Sequence, residues 1–321
     1  MLQAPAPVCR AAALNLPFAL SPRWLFWGPT LIWASTWHVI LYQLAEVPAV
    51  NAVAWRFLLA SALLFGLAAA RGEAWRLPAR AHPWLIATGL VQYGLNYWGV
   101  YEAERHIPSG LVAVLFSLMV FGNAASGAWL FGQPVTRRFA ACAAVGVLGV
   151  TLIFWPEVLA TGARPQAALG LAIGLGAVAC ACIGNALTLT QSRRGVPLVP
   201  MLAWCMGYGA LGLLATAGAA GVGWQVGHTA AWWGSLAYLA TIGTVAPFLL
   251  YFKLVQRDGP GRAALTGVLI PVIALAVSAT LEGWRPTVLA LTGMALCLGS
   301  VFVATRPVPA PGSATQAAPA A

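Results

Sequence analysis

The sequence predicts an all-α, polytopic membrane protein of ten transmembrane helices, arranged as two inverted repeats of five helices. Two observations lead to this prediction. Of the 321 residues, 60% are hydrophobic and only 7% are charged, whereas soluble domains carry about 25% charged residues. Similar hydrophobic segments also occur in both halves, one from Ser109 to Val150 and the other from Gly261 to Gly293. Internal repeats of this kind are typical of membrane carriers.

Long runs without a charged residue determine the number of helices. Residues 106–136, 165–192 and 195–252 contain no Asp, Glu, Lys or Arg. A helix needs about 20 apolar residues to cross the hydrocarbon, and in lipid only helices or closed barrels satisfy the backbone. These runs are too continuous for the alternating strands of a barrel. Prolines and glycines divide the chain into ten helices, near 24–44, 49–70, 83–101, 108–131, 139–156, 167–190, 198–220, 231–252, 262–281 and 286–305.

The basic residues predict the orientation of the bundle. With a cytoplasmic N-terminus, the inner segments hold thirteen of the seventeen Lys and Arg residues, the outer loops hold three, and Arg56 lies within a helix. An excess of positive charge on the cytoplasmic side is the usual rule. We therefore expect both termini in the cytoplasm and a multi-pass protein of the cytoplasmic (inner) membrane. The basic residues are dispersed over alternate loops and form no single patch, so a nucleic-acid partner is disfavoured.

Five helices in each half give the two halves opposite orientations. We expect a cytoplasmic tail at 1–22, a first repeat at 23–156, a connecting loop at 157–166, a second repeat at 167–305 and a disordered cytoplasmic tail at 306–321. Inverted halves can pack in two ways, so that a site between them faces each side of the membrane in turn. The six cysteines have no disulfide-type or metal-type spacing, and we expect no metal site.

Segments along residues 24–305 carry a family resemblance. They are WASTWHVI from Trp33, WRFLLASALL from Trp55, GLNYWGVYEAERHIPSG from Gly94 and ATIGTVAPFLLYF from Ala240. In this order they resemble the drug/metabolite transporter superfamily, specifically its EamA-type branch of ten-helix carriers. Three positions differ from many members, which have a lysine, a proline and a glutamate there: Leu41, Val120 and Gln133. In the second half, Pro271 and Gly293 keep the expected spacing.

The resemblance implies a secondary active transporter that works by alternating access. We expect export of a small metabolite or amino acid, with the lipid bilayer as environment and the proton as candidate coupling ion. A channel, a non-transporting scaffold and an intramembrane enzyme are the alternatives. An enzyme is disfavoured because the seven acidic residues lie at loops or helix ends and no HExxH, GxSxG or P-loop motif occurs. We therefore expect no cofactor. The GYGALG segment from Gly207 fits GxGxxG, but no strand precedes it, so close helix packing explains it.

Polar residues inside the helices are the candidate binding residues, because they are costly in lipid and normally face the bundle interior. Arg56 lies about 10 Å into the second helix, where it either snorkels to the headgroups or attracts an anion at the outer mouth of a cavity. His38 is a buried structural histidine or a proton carrier, since an ordinary imidazole pKa of about 6.5 suits proton coupling. Glu282, three residues before Arg285, is expected to form a structural ion pair or cap.

The third helix has the densest set of polar residues. Gln92 and Asn96, and Tyr93 and Tyr97, are spaced four residues apart and form adjacent stripes on one face. They either bond neighbouring helices together or line a cavity, and we favour the cavity wall. Deep tryptophans add a possible aromatic lining, in contrast to those at helix ends that anchor at the interface. The further binding candidates are Trp33, Trp37, Asn185, Thr188, Thr244 and Tyr251.

Overall fold

The computed structural model describes residues 21–132, 135–159 and 165–305. Within these ranges the regular elements are all helical, and they form ten successive segments, numbered here α1 to α10. Seven of the ten are single α-helices: α1 Pro22–Leu44, α2 Ala49–Ala70, α5 Arg137–Leu159, α6 Pro165–Arg193, α7 Leu198–Ala219, α9 Thr266–Leu281 and α10 Val288–Thr305.

Three segments are built from shorter pieces. A 3₁₀ turn, Ala79–Ala81, precedes α3. The pieces are His82–Thr88, Gly89–Leu95 and Asn96–Glu104 in α3, Ser109–Ser117 and Met119–Phe131 in α4, and Ala230–Ala240, Thr241–Val245 and Ala246–Ala264 in α8. The middle pieces of α3 and α8 are π-helical. These two interruptions carry several of the candidate binding residues.

The described helices confirm the all-α membrane fold. Among them, seven are long and apolar enough to cross a membrane: α2, α4, α5, α6, α7, α8 and α10. The shorter α9 is also apolar. The remaining two, α1 and α3, contain many of the polar candidates, which lower their mean hydropathy. Many of the polar candidate residues are therefore concentrated in α1 and α3.

Corresponding helices of the two halves pack against each other. Helix α2 lies along α7, α4 along α9 and α5 along α10. At the α5–α10 crossing, a Cβ atom on Gly149 would lie 2.5 Å from the carbonyl oxygen of Gly293, and a Cβ atom on Gly293 would meet the Gly149 carbonyl. Glycine at both positions therefore allows the two backbones to touch, as is common between membrane helices.

Most predicted helix bounds agree with the structure within three residues, but the junction of α8 and α9 differs. We expected a break at Gly259-Pro260, whereas α8 continues to Ala264 and α9 begins at Thr266. A proline in a helix removes one backbone hydrogen bond, but its φ angle is compatible with helical geometry, so the chain turns only after it. The tails predicted at 1–22 and 306–321 lie outside the described residues, except that Pro22 begins α1.

Candidate functional site

Arg56 is an almost fully buried cation, with only 2% of its surface exposed. Its Nε donates to Thr244 Oγ1 at 3.1 Å, Nη1 donates to the Tyr101 hydroxyl at 3.2 Å, and Nη2 donates to the Gly243 carbonyl at 3.5 Å. Because Gly243 and Thr244 belong to the π-helical piece of α8, the guanidinium joins α2 and α3 of the first half to α8 of the second. All three partners are neutral. The side chain does not snorkel to the membrane surface.

Aromatic rings surround this cation and extend from it. The guanidinium carbon of Arg56 lies 5.1 Å from the ring centre of Tyr97 and 5.5 Å from that of Phe57. Phe57 also packs edge-on against Tyr93, with ring centres 5.2 Å apart. Tyr93 contacts Phe248 at 6.4 Å. The positive charge is therefore stabilised by ring faces rather than by a carboxylate.

The same aromatic cluster continues into α1. Trp33 lies with its ring centre 5.5 Å from Phe248 and 5.4 Å from Tyr251. Trp37, one turn further on, instead packs against Phe116 of α4 at 5.3 Å. Six of the twelve predicted residues are thus brought into one connected set: Trp33, Arg56, Tyr93, Tyr97, Thr244 and Tyr251.

His38 forms a second polar group with Glu282. Its Nδ1 lies 3.2 Å from Glu282 Oε1. Glu282 Oε2 accepts from the Ser109 backbone N–H at 3.1 Å and from Ser278 Oγ at 2.9 Å, and Ser109 Oγ donates to Oε1. Glu282 follows the last residue of α9, so it joins α9 to the start of α4 and to α1. We expected Glu282 to form an ion pair or cap near Arg285, whereas the structure places it against His38 of α1.

Hydrogen bonding determines the protonation of this carboxylate. Burial alone would raise the pKa of Glu282, but the hydrogen bonds donated by Ser109, His38 and Ser278 lower it below the ordinary value. A carboxylate that accepts several hydrogen bonds is stabilised in its charged form. The charged form of Glu282 is therefore stabilised by its hydrogen-bond partners on α1, α4 and α9.

Amide side chains form a third group between α3, α4 and α6. Gln92 Nε2 donates to Asn185 Oδ1 at 3.4 Å, and Asn185 Nδ2 donates to Asn123 Oδ1 at 3.3 Å. A Cβ atom on Gly184 would clash with the Gln92 side chain. A small cavity of about 120 Å³ adjoins these amides and is lined by Asn123, Ser126, Gly127, Cys182, Asn185, Ala186 and Leu189.

Two candidates bond only to the backbone of their own helix. Asn96 Nδ2 donates to the Gln92 carbonyl at 3.2 Å, and Thr188 Oγ1 donates to the Gly184 carbonyl at 2.8 Å. The side-chain oxygens of Gln92 and Asn96 are buried and have no hydrogen-bond partner within the described residues. Buried amide oxygens normally have a partner, so these two acceptors are exceptions in the described part of the bundle.

The π-helical pieces position the first and third groups. With Val120 aligned to Pro271, residues 89–95 align with 240–246, a range that contains Thr241–Val245. The two halves therefore carry the same interruption at corresponding positions. Inside the wider turn, Thr244 Oγ1 donates to the carbonyl of Leu239, five residues earlier, at 2.7 Å. Such π-bulges are frequent at functional sites.

Sequence reasoning missed four buried polar residues in α1, α2 and α3: Gln43, Asn51, Tyr101 and Glu104. The Tyr101 hydroxyl donates to Gln43 Oε1 at 2.8 Å, while the Asn51 side chain and both Glu104 oxygens are buried and have no partner among the described residues. Tyr101 could have been found from the sequence, because it extends the stripe of Tyr93 and Tyr97 by a further four residues. The other three lie near predicted helix ends, where burial cannot be read from the sequence.

A larger cavity of about 730 Å³ lies at one end of the bundle. It is bounded by the turn between α3 and α4, the end of α5, the start of α6 and the loop between α9 and α10. None of the twelve predicted residues lines it. Its polar lining consists mainly of His106, Gln166, Arg285 and Thr287.

Metal-type clusters are absent from the part of the chain that the structure describes, where no three His, Cys, Asp or Glu side chains are close enough to hold an ion. Five of the cysteines are described, and all five are free thiols: Cys142, Cys180, Cys182, Cys205 and Cys297. The site is built instead from one cation, aromatic rings, amides and hydroxyls. These are groups that can bind a small polar molecule through hydrogen bonds, ring faces and one positive charge.

Comparisons with known proteins match this architecture. The model of the EamA-like transporter family matches twice, at residues 23–155 and 170–306. A probable amino-acid metabolite efflux pump of Salmonella typhimurium (strain LT2) is 25% identical over 298 residues, which cover 85% of this chain and 91% of that protein. One solved crystal structure aligns with a TM-score of 0.61 at 17% identity, over 88% of this chain and 96% of the other. The structural likeness supports the fold alone.

Proposed function

Since the chain belongs to the EamA-like transporter family, we propose that it is a secondary active transporter that exports a small amino-acid-like metabolite by alternating access. The observation that carries the proposal is Arg56, a buried cation between the two halves whose hydrogen-bond partners are all neutral. A buried charge is stable only when it is compensated. A carboxylate on the substrate would supply that compensation.

The groups around Arg56 support a zwitterionic substrate. The aromatic cluster offers flat apolar surface to a substrate side chain. The unpartnered oxygens of Gln92 and Asn96 can accept hydrogen bonds from an ammonium group. The efflux pump of Salmonella typhimurium carries the words amino-acid metabolite in its name, which agrees with this class of substrate.

Alternating access requires contacts between the halves that can break. At the outer side, His38 of the first half pairs with Glu282 of the second, and Ser109 Oγ lies 3.1 Å from Ser278 Oγ. Arg56 and Thr244 form a third link. We propose that these contacts close the outer side and that they separate when the repeats at 23–156 and 167–305 rearrange, with proton exchange through His38, the partner of the Glu282 carboxylate, driving export.

The proposed location is the inner membrane, with both termini in the cytoplasm. Thirteen of the seventeen basic residues then lie inside. In a cysteine-free background, Gln225→Cys should react with an impermeant thiol reagent in intact cells, and Ala79→Cys only after permeabilisation. The opposite pattern would reverse the orientation and the proposed direction of transport.

The decisive experiment is counterflow of labelled amino acids into proteoliposomes. The wild-type protein should exchange one or more of them saturably, and Arg56→Gln should abolish exchange. Arg80→Gln is the matched control, because Arg80 is exposed at the cytoplasmic end. Absence of saturable exchange for every amino acid, or full activity of Arg56→Gln, would refute the proposed substrate class.

A further inference from the structure

Glu104 is a buried carboxyl group without a hydrogen-bond partner. It is the last residue of α3 and is only 6% exposed. Neither of its oxygens has a donor within hydrogen-bond distance among the described residues. Burying an ionised carboxylate without donors is among the most unfavourable arrangements in a protein, and such a group instead takes up a proton. The protein therefore holds a titratable group that the binding site described above does not use.

Charged groups lie on several of the elements around Glu104. Glu282, after α9, and Arg56, on α2, lie within electrostatic range. Tyr101 lies one turn earlier on α3. His38, on α1, is paired with Glu282, and the start of α6, residues 165–167, contributes no charged side chain.

Two features of the surroundings oppose a negative charge on Glu104. Hydrogen bonds stabilise the charged form of Glu282, and a like charge in the neighbourhood disfavours ionisation of Glu104. Glu104 also occupies the C-terminal end of a helix, where the macrodipole disfavours anions. Arg56 is the one described cation in range on a neighbouring helix, and its hydrogen bonds go to Thr244, Tyr101 and Gly243.

We infer that Glu104 is a proton-binding site that is occupied when the outer half of the bundle is closed. Closure of the outer half removes the Glu104 carboxyl group from water and leaves it without hydrogen-bond donors. The closed arrangement is therefore stable only when Glu104 is protonated. Opening of the outer half would restore water to the group and allow it to ionise. The role of this proton in a transport cycle rests on the proposed alternating-access function. The protonation itself is a property of the folded chain and can be measured without transport.

The direct test is infrared spectroscopy of the purified protein in detergent or lipid at neutral pH. Wild-type protein should show the carbonyl stretch of a protonated carboxyl group, which moves on exchange into D₂O. Glu104→Gln should remove this band. Glu102→Gln is the matched control, because Glu102 is two residues away, more exposed and paired with Arg105 at 3.5 Å, and it should leave the band intact.

A second variant that retains a carboxyl group controls for loss of folding in Glu104→Gln. Glu104→Asp should shift the frequency of the band without removing it. Persistence of an unchanged band in both Glu104 variants, or absence of the band in wild-type protein at neutral pH, would overturn the inference. Neither outcome would affect saturable counterflow, on which the proposed function depends.

Transport measurements then test the role of the proton. A one-to-one exchange can accumulate substrate about tenfold for each unit of pH gradient. Glu104→Gln, which fixes the neutral form, should retain counterflow in the absence of a gradient but lose accumulation driven by the gradient. Accumulation equal to that of wild-type protein would contradict a role of the Glu104 proton in coupling. If counterflow is absent even from wild-type protein, the proposed function fails, and the infrared result still stands.

Discussion

His38 Nδ1 lies 3.2 Å from Glu282 Oε1, which joins the first helix of one half to the end of the ninth helix in the other. The two residues are 244 positions apart in the sequence. Both side chains are mostly buried, with 18% of His38 and 11% of Glu282 exposed. The contact is therefore a link between the halves that a change of imidazole protonation would strengthen or weaken.

We predict that His38→Gln abolishes the dependence of transport on a pH gradient while substrate binding survives. The glutamine side chain can still donate a hydrogen bond to Glu282, but unlike histidine it cannot take up or release a proton. Accumulation against an imposed gradient and binding to purified protein are the two measurements. His228→Gln, on the exposed outer loop, serves as the control. Undiminished proton-driven accumulation in the His38 variant would make His38 a packing residue.

We predict that Asn96→Ala weakens transport while leaving the folded protein abundant. Its Oδ1 has no partner within the described residues, so its removal leaves no protein donor unsatisfied there. Loss of one hydrogen bond to substrate corresponds to a reduction of about twofold to tenfold. Transport rate normalised to the amount of folded protein is the measurement. A parallel fall in abundance and activity would support a purely structural role in the third helix.

We predict that Gly149→Val destabilises the bundle by about 1–3 kcal/mol or more, as overpacking does. Its Cβ would lie 2.5 Å from the Gly293 carbonyl and 2.7 Å from the Cys297 nitrogen, so the backbones of α5 and α10 would have to separate. Gly176→Val is the control, since no atom lies within 4 Å of a Cβ at that position of α6. Thermal unfolding in detergent compares the two, and equal midpoints would contradict the close crossing.

We predict that the contact of Glu46 with the loop between α7 and α8 stabilises the protein at neutral pH and not in acid. The hydroxyl of Thr229 and the backbone N–H groups of His228 and Thr229 donate to this carboxylate and lower its pKa. A lowered native pKa gives stability that is present above the unfolded pKa and lost as the pH falls through the native value.

Glu46→Gln should therefore lower the unfolding temperature at neutral pH, and the difference from wild-type protein should vanish at low pH. Glu73→Gln, at the cytoplasmic end, controls for general removal of a carboxylate. A difference that stays constant with pH would show that ionisation of Glu46 does not contribute.

The fold was predictable because hydrophobic length and charge placement dominate in a membrane. We predicted α2 at 49–70 although Arg56 interrupts the uncharged run there, and the structure has those bounds. Lipid leaves few alternatives to a helix for such a segment. The exception is Gly259-Pro260, where local turn chemistry predicted a break and the helix continued.

The partners of the site residues were not predictable. Hydropathy gives the depth of Arg56 in the membrane, but not the rotation of α2 that directs it toward Thr244 rather than the headgroups. Likewise, Glu104 was classed with helix ends, because sequence position gives no information on what covers a residue. The stripe in α3 was predictable from spacing alone, and the structure places Tyr93, Tyr97 and the missed Tyr101 on it. Whether these residues bind substrate remains a prediction.

The matched π-helical pieces of α3 and α8 decide which side chains share a helix face. A π-helical turn holds one more residue than an α-helical turn, and each added residue rotates the side chains that follow by about 100°. In α8 this wider turn contains Gly243 and Thr244, the two residues that accept hydrogen bonds from Arg56. In α3 it ends at Leu95, shortly before Tyr97, whose ring packs against the same guanidinium. A substitution that restored regular α-helical winding in either piece would therefore turn one side of the Arg56 site away from the cation.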